Sequence, residues 1–523
     1  MTRLCVAIFV TDLAQAQRDI ALAGEAGADT VELRIDRYPN PAGIEAILRN
    51  STLPCIVTCR PTWEGGQCDL PEEQRQALLR DPALDRAAYL DVEWEARQGL
   101  RWGEKFIPRR PVIVSSHDFQ GRPDRLANLY VDLSSSDAQV VKLVWTARTI
   151  RDNLESFELL QQRQKPTIAL CMGEAGLISR VLAKKFGAFL TFASLDKGAE
   201  TAPGQVSVHD MKRLYRWDAI NPRTKVYGVV AQPVAHSMSP AIHNAAFNET
   251  GHNGVYLPLL VNAGYESFKA FMESFLHFEG LDLAGLSVTI PHKENALKYL
   301  REKGADVDPL AASIGAVNTI SIERNGGDLR LSGTSTDYGA ILDSITDTLA
   351  ITREDLANYR VAVLGAGGTG RTAVAALAHY GATVVVYNRT KERADALAAE
   401  FDGKRGKVVS ARLEKLCDSC CHVFLNTTSL GMHPNVDASP LDGLTEAGRE
   451  LPFTPDTLVF DTVYNPMRTK LLRQAEAAGA KTINGVEMFV RQAAAQFELW
   501  TNQPAPVQVM RRVVEGRLAG TSG

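Results

Sequence analysis

Short apolar runs recur through the first two hundred positions, each bounded by polar or glycine-containing segments. They are LCVAIFV (4–10), TVELRID (30–36), PCIVTCR (54–60), AAYLDVEW (87–94), PVIVSSHD (111–118), QVVKLVW (139–145), TIALCMG (167–173) and AFLTFAS (188–194). Such near-continuous runs predict strands buried on both faces. Helix-period segments such as DLAQAQRDIALAGEAG and RTIRDNLESFELLQQR fill most of the gaps. Eight strand–helix units in the first 215 residues predict a closed (β/α)8 barrel over an open doubly wound sheet. The helical pattern stops near Trp217, Asn221-Pro222 marks a break, and a new strand starts at Lys225. Beyond it KVYGVV, GVYLPLL, LAGLSVTI and GAVNTI predict further strands of a second α/β domain. YRVAVLGAGGTGRTAVAALAHYG (359–381) predicts a strand, a glycine turn and a helix, the opening of a dinucleotide-binding fold.

Barrel enzymes work where strands end at the C-terminal rim. Those positions collect Glu32 and Arg34, then Arg60 and Glu64, then His117 and Asp118, and finally Thr201 and Gln205. Lys142 lies inside the sixth apolar run. A buried ammonium is costly unless it is paired or loses its proton. Burial, with Arg34 and Arg60 nearby, is expected to lower its pKa. A neutral amine attacks a ketone, and the resulting imine acidifies the adjacent carbon. His117, one strand away, is placed to take that proton, with Glu64 orienting the imidazole. A lysine that merely pairs with a carboxylate at a strand end is the competing reading. The histidine and the rim arginines favour chemistry.

Composition narrows the function classes. At 523 residues the chain is too long for one core. A net charge of −4 argues against nucleic acid or an anionic membrane as the main partner. The apolar run at the N-terminus is short and interrupted by Asp12, so a signal peptide is not expected, and no stretch predicts a membrane span. Eight cysteines in this length suggest no disulfide framework and a reducing cytoplasm. Cys417, Cys420 and Cys421 form a lone CxxCC without histidine partners, and no metal site is expected there.

The rim motifs ELRID, TCRPTWEGG, VSSHDF, VVKLVW and TAPGQ, in this order, resemble those of the type I 3-dehydroquinate dehydratases. The resemblance implies Lys142 as the imine-forming lysine and His117 as the acid/base. It also implies that Glu32, Arg34, Arg60, Arg180 and Gln205 hold substrate hydroxyls and carboxylate. Ala7 and Thr201 stand where that family often has serine. Thr201 keeps a hydroxyl and is expected to bind; Ala7 is not.

In the second half, Gly365, Gly367 and Gly370, with Ala366, Gly368 and Thr369 among them, let backbone amides approach a pyrophosphate. The next strand ends in Asn388, Arg389 and Thr390, with Arg393 beyond, where an NAD site would carry an acid. Arginine there suits a 2′-phosphate, so NADP(H) is the expected cofactor. Four polar clusters precede the glycines: Ser237 and Ser239 in HSMSP, Thr289 and Lys293 in SVTIPHK, Asn318 in GAVNT, and Asp337 in GTSTDYG. They suit a polyhydroxylated ring, with Lys293 and Asp337 as an acid/base pair. His236 and His243, seven apart, read as helix-surface or capping residues.

SMSP, TIPHK, AVNT, GAGGTGRTA, YNRT, NTTSLGM, DTVYNPMRTKLL and NGVEMFVRQAAAQF closely resemble the shikimate dehydrogenases over about residues 225–515. That implies Lys293 and Asp337 at the reacting hydroxyl. It implies Ser237, Ser239, Thr289, Asn318, Tyr464 and Gln492 around shikimate. Thr427 joins the cofactor side, and nicotinamide falls near Val463, Gly485 and Met488. Ser335 replaces a frequent asparagine. The expected domains are a barrel at 1–219, a substrate domain at 225–340 completed by helices within 490–520, and a Rossmann domain at 341–489. Both resemblances together imply a bifunctional enzyme taking 3-dehydroquinate to 3-dehydroshikimate and then, with NADPH, to shikimate. A quinate dehydrogenase in the second half is the alternative. Neither resemblance fixes an oligomeric state.

Overall fold

The computed structural model describes residues 1–98, 110–416, 418–445 and 450–520. Cys417 of the CxxCC lies outside them. The chain forms two compact units, one of residues 1–240 with 253–283 and the other of residues 241–252 with 284–523.

All eight expected barrel strands form: β1 (Arg3–Phe9), β2 (Thr30–Arg34), β3 (Cys55–Thr58), β4 (Tyr89–Glu93), β5 (Val112–Asp118), β6 (Val140–Thr146), β7 (Thr167–Met172) and β8 (Leu190–Ala193). They pair in parallel in the order β7-β6-β5-β4-β3-β2-β1-β8. Phe189 N donates to Thr167 O (2.8 Å), so the two ends of the sheet meet. Side chains alternate between faces along a strand, which sorts the barrel interior into layers. Cys5, Ile56, Ile113, Val140, Ile168 and Leu190 pack as an apolar floor. Two residues further along several of the same strands stand Thr58, Ser115 and Lys142, all buried. Lys142 therefore shares a face with Val140 and Val144, both in that core.

The first unit also holds β9 (Lys225–Ala231) and β10 (Gly254–Leu260), paired in parallel. Their grouping with the barrel departs from the expected border near 219–225 and has a local cause. Arg216 Nη1 donates to Gly254 O, and Lys185 Nζ donates to Pro222 O (3.0 Å) and Thr224 O (2.8 Å). Phe278 packs with Phe157 and Phe186.

The second unit opens with β11 (Leu283–Val288) and β12 (Asp306–Val307). The hairpin of β13 (Thr319–Asn325) and β14 (Asp328–Thr334) is one that the apolar pattern missed. GAVNTI becomes a strand only at Thr319, because Gly315 (φ 86°) caps a preceding helix, Pro309–Ile314. The chain continues into β15 (Arg360–Leu364), β16 (Thr383–Tyr387), β17 (Val408–Ala411), β18 (Val423–Asn426), β19 (Leu458–Asp461) and β20 (Lys481–Ile483). This parallel sheet has the order β17-β16-β15-β18-β19-β20, the doubly wound dinucleotide-binding arrangement. Val361 and Val363 enter one core, Ala362 and Leu364 the other, so β15 is covered on both faces. The helix Gly485–Thr501 then returns to the earlier strands, where Trp500 Nε1 donates to Ile320 O (3.1 Å).

Candidate active sites

At the C-terminal end of the barrel a pocket gathers nine of the expected barrel residues, while Asp118 instead accepts from Gln120 N (2.8 Å) and Gly121 N (3.1 Å). Glu32, Arg34, Arg60, Glu64, His117, Lys142, Arg180, Thr201 and Gln205 line the pocket. Lys142 is 4% exposed, and its Nζ sits 2.8 Å from Asp91 Oδ2 and 3.4 Å from Glu32 Oε1. It also lies 4.3 Å from the Phe192 ring centroid. The expected rim of cations around Lys142 is thus corrected: its direct partners are carboxylates. The arginines are drawn away by acids of their own. Arg34 is bidentate to Asp36 (3.1 and 2.6 Å). Arg60 donates to Asp91 (2.7 Å), Glu93 (2.9 Å) and Ser115 (2.9 Å), and lies 3.6 Å from Glu64.

Asp91 and Glu93 were not among the expected site residues. Both are fully buried on β4, inside AAYLDVEW, where two acids in an apolar run were the available signal. Burial works to raise the Asp91 carboxyl, but Arg60 and then Lys142 outweigh it and hold it below the usual carboxylate range. Burial pushes Glu93 up, against Arg60 and Arg75. Arg75 Nη1 lies 2.8 Å from Glu93, so a chain of alternating charge runs from Arg75 to Lys142. Each buried charge keeps a partner, as the low dielectric requires.

His117 is tied to Glu64 twice. Its backbone N donates to Glu64 Oε1 (2.9 Å), and Nδ1 lies 2.8 Å from the same oxygen. Burial, then the charges of Arg60 and Lys142, hold the imidazole well below its ordinary value. Burial also pushes Glu64 well up, against the pull of Arg60. The pair thus forms a dyad whose free edge, Nε2, is the one left to act on a ligand. Arg180, in the helix Leu177–Val181, is 1% exposed. Its guanidinium's only hydrogen bond among the described residues goes to Pro203 O (3.4 Å), and Nε has no partner. Burial lowers it to about 10. A buried guanidinium without an acid is a receptor for an anion. Thr201 and Gln205 hold each other, with Gln205 Nε2 donating to Thr201 Oγ1 (3.1 Å). Ala7 is buried in the core.

In the second unit Lys293 Nζ meets Asp337 Oδ2 at 2.6 Å, both partly open to solvent. Lys293 begins the helix Lys293–Glu302 and Asp337 lies in the first turn of Thr336–Leu349. Asn318, 3% exposed, is chiefly a cap: its Oδ1 accepts from Thr336 N (2.8 Å) and its Nδ2 donates to Thr336 Oγ1 (3.1 Å). Ser335 itself makes no side-chain cap bond to this helix. Thr289 is half-buried and precedes the exposed Ile290. Gln492 Nε2 donates to Phe489 O (3.0 Å), and the Phe489 ring stacks on Tyr464 (5.2 Å). Ser237 and Ser239 belong to the first unit, where Ser239 N donates to Ser237 Oγ (3.3 Å). His243 is fully buried and burial lowers it to about 3, which replaces the expected helix-surface role; His236 is exposed.

The glycine turn fits a dinucleotide. Gly365 takes φ +110°, and a Cβ on Gly370 would stand 2.2 Å from Gly365 O. A Cβ on Gly367 or Gly368 would meet open space, which leaves the helix N-terminus accessible to a pyrophosphate. Ala366 N donates to Asn388 Oδ1 (3.3 Å), while Thr427 Oγ1 donates to Leu364 O (2.8 Å) and packs under Gly365. Thr369 follows in the first helical turn. Arg389, Thr390 and Arg393 are exposed, and among the described residues neither arginine has an ion pair. Val463 N donates to Asp461 Oδ1 (3.0 Å), Gly485 abuts Thr462 O and Val463, and Met488 packs against the core that holds Val361 and Val363.

Family models match the chain in consecutive stretches. They are the type I 3-dehydroquinase at 4–222, the shikimate dehydrogenase substrate binding domain at 229–320, the shikimate/quinate 5-dehydrogenase at 348–431 and the shikimate 5′-dehydrogenase C-terminal domain at 485–515. The bifunctional 3-dehydroquinate dehydratase/shikimate dehydrogenase, chloroplastic, of Arabidopsis thaliana is 39% identical over 98% of this chain and 84% of its own. The NADP(+) shikimate dehydrogenases of Methanosarcina barkeri and Bacillus licheniformis are each 38% identical, over 55% and 57% of this chain and 97% and 99% of their own. With both halves matched in order, the chain belongs to the family of bifunctional type I 3-dehydroquinases/shikimate dehydrogenases.

Proposed function

We propose that the chain dehydrates 3-dehydroquinate to 3-dehydroshikimate in the barrel and reduces that product to shikimate with NADPH in the second half of the chain. The observation that carries the first step is the convergence of Lys142, the His117–Glu64 dyad and the acid-free Arg180 on one cavity. Asp91, at 2.8 Å, holds Lys142 at the cavity wall, and the amine gives up its proton to water before it attacks. The amine adds to the ketone and water leaves, giving an imine. Arg180 holds the carboxylate, while Arg34, Arg60, Glu32, Thr201 and Gln205 hold the hydroxyls. His117 Nε2 removes a proton alpha to the imine. The enamine electrons expel the hydroxyl, which leaves as water with the proton returned by His117. Hydrolysis of the imine frees product and Lys142.

In the second step Ser237, Ser239, Thr289, Asn318, Tyr464 and Gln492 position the ring, and Asn318 retains one amide hydrogen for it beside its capping role. Lys293, held by Asp337, protonates the ketone oxygen. Gly365 to Gly370, Asn388, Arg389, Thr390, Arg393 and Thr427 hold the dinucleotide, with Val463, Gly485 and Met488 on the nicotinamide side. When bound, NADPH supplies the hydride. Two unpaired arginines where an NAD site carries an acid support NADPH over NADH. The seven described cysteines are all free, which supports a reducing compartment such as the cytoplasm. No described helix is long and apolar enough to cross a membrane.

The deciding experiment combines full-length chain, 3-dehydroquinate and NADPH, followed by shikimate formation. Borohydride added with 3-dehydroquinate alone should place ligand mass on Lys142. Mass on another lysine, or quinate oxidised faster than shikimate, would sink the respective half of the reading.

A further inference from the structure

The loop that delivers Arg60 and Glu64 is bracketed by two cysteines that the dehydration does not use. Cys59 follows β3, and Cys68 closes the loop after Glu64; both thiols are buried. Main-chain bonds hold the two segments side by side. Cys68 N donates to Arg60 O (3.0 Å), Thr62 N donates to Cys68 O (3.2 Å), and Pro61 and Cys68 form a parallel bridge. The two thiols face each other closely enough that Cys59 draws Cys68 down to about 7, against burial, while Cys68 and burial push Cys59 up. A thiol of lowered pKa beside a second thiol is the arrangement from which disulfides form. Cys68 lies between exposed Gln67 and Asp69, so its sulfur is just beneath the surface of a loop. Cys5, Cys55 and Cys171, by contrast, are pushed up by burial and have no thiol hydrogen-bonded to them among the described residues.

We propose that Cys59 and Cys68 form an oxidative modification site that switches the dehydratase alone. A peroxide-class oxidant transfers one oxygen to the Cys68 thiolate, giving a sulfenic acid and hydroxide. The Cys59 thiol then attacks that sulfur; the S–O bond breaks, water leaves with the Cys59 proton, and the disulfide closes. Two electrons pass from the sulfurs to the peroxide, and the chain becomes lighter by two hydrogen atoms. The S–S bond, about 2.05 Å, is far shorter than a thiol–thiol contact. Its closure draws the flanks of the 59–68 loop together and shifts Glu64 off His117 and Arg60 within the acid cluster. The second unit shares none of these residues.

That the disulfide forms does not depend on the assignment of activity; that it silences the dehydratase rests on the roles given above to Glu64 and His117. The test treats full-length chain with hydrogen peroxide, maps peptides without reduction, and assays both activities before and after dithiothreitol. The expected result is a Cys59–Cys68 cross-link, dehydratase kcat at least tenfold lower with NADPH-dependent reduction unchanged, and recovery on reduction. Cys68→Ser and Cys68→Ala should keep dehydratase activity through the same treatment. The wild-type map decides the cross-link whether or not those variants fold. No cross-link, or a cross-link that leaves the dehydratase at full rate, overturns the proposal. Absence of dehydratase activity in untreated chain would instead overturn the activity assignment and leave the cross-link to be judged by the map.

Discussion

Asp91 is the side chain that holds Lys142 in the barrel cavity. It accepts from Lys142, Arg60 and Ser115 at 2.8, 2.7 and 2.6 Å, and no motif announced it. Asp91→Asn should keep the cavity's shape while removing the negative charge that holds Lys142. A dehydratase kcat about a hundredfold lower is expected, the cost of misplacing the reacting amine by about 1 Å, with the dehydrogenase unchanged. Slower borohydride trapping at Lys142 checks that the defect is in imine formation. His117 supplies a pH test. Because its folded value lies well below the usual 6.5, mainly through burial, the base-competent neutral form persists into acid. The acid limb of dehydratase kcat/KM should therefore fall below pH 6.5, and activity should be flat through 7. Glu64→Gln should move that limb, since the dyad is broken while the residue volume is kept. Arg34, Arg60, Glu64 and His117 stood out by their types at strand ends and Lys142 by its place inside an apolar run, while Arg180 came from the resemblance alone. Their partners did not stand out, because which acid meets which cation depends on facing strands rather than on spacing along one.

At the scale of elements, backbone approach sets the cofactor turn. A Cβ at Gly370 would overlap Gly365 O at 2.2 Å. Gly370→Ala must push strand and helix apart, costing about 1–3 kcal/mol as overpacking does and raising the KM for NADPH in steady-state assays. Helix Ser239–Thr250 carries a different signal, the buried His243. Burial keeps it neutral to about 3, whereas an unfolded histidine takes a proton below 6.5. Between those values the unfolded state binds more protons, so stability falls as pH drops, by about 1.4 kcal/mol per unit from this one group. Urea denaturation from pH 7 to 4 should show a shallower decline for His243→Gln than for the native chain, and that difference isolates the residue. The glycine fingerprint was legible from residue types alone, because close approach to backbone admits only glycine. The β13–β14 hairpin was not: an exposed hairpin needs little apolar periodicity to form.

In the proposed assignment the two chemistries use separate side chains across the chain. Chains carrying Lys142→Ala and Lys293→Ala should each fail to convert 3-dehydroquinate to shikimate with NADPH, yet a mixture of the two should do so. Failure of the mixture, with each remaining single activity intact, would show that one chain must carry both live sites. Domain borders show what local pattern conveys and what it misses. A break at Asn221-Pro222 was visible, but the attachment of β9 and β10 to the barrel rests on Arg216, Lys185 and Phe278, residues far apart in sequence from what they hold. By itself the sequence determined the barrel strands, the dinucleotide turn and the residues able to do chemistry, since strand burial, glycine conformation and functional-group identity are properties of short segments. Only the tertiary structure decided that Lys142 faces Asp91 and Glu32, that Arg180 is left without an acid, that Asn318 caps the helix bearing Asp337, and that the chain brings Cys68 beside the segment that follows Cys59. Each of these depends on burial and on contacts across strands and loops, where a low dielectric and a fixed distance choose the partner.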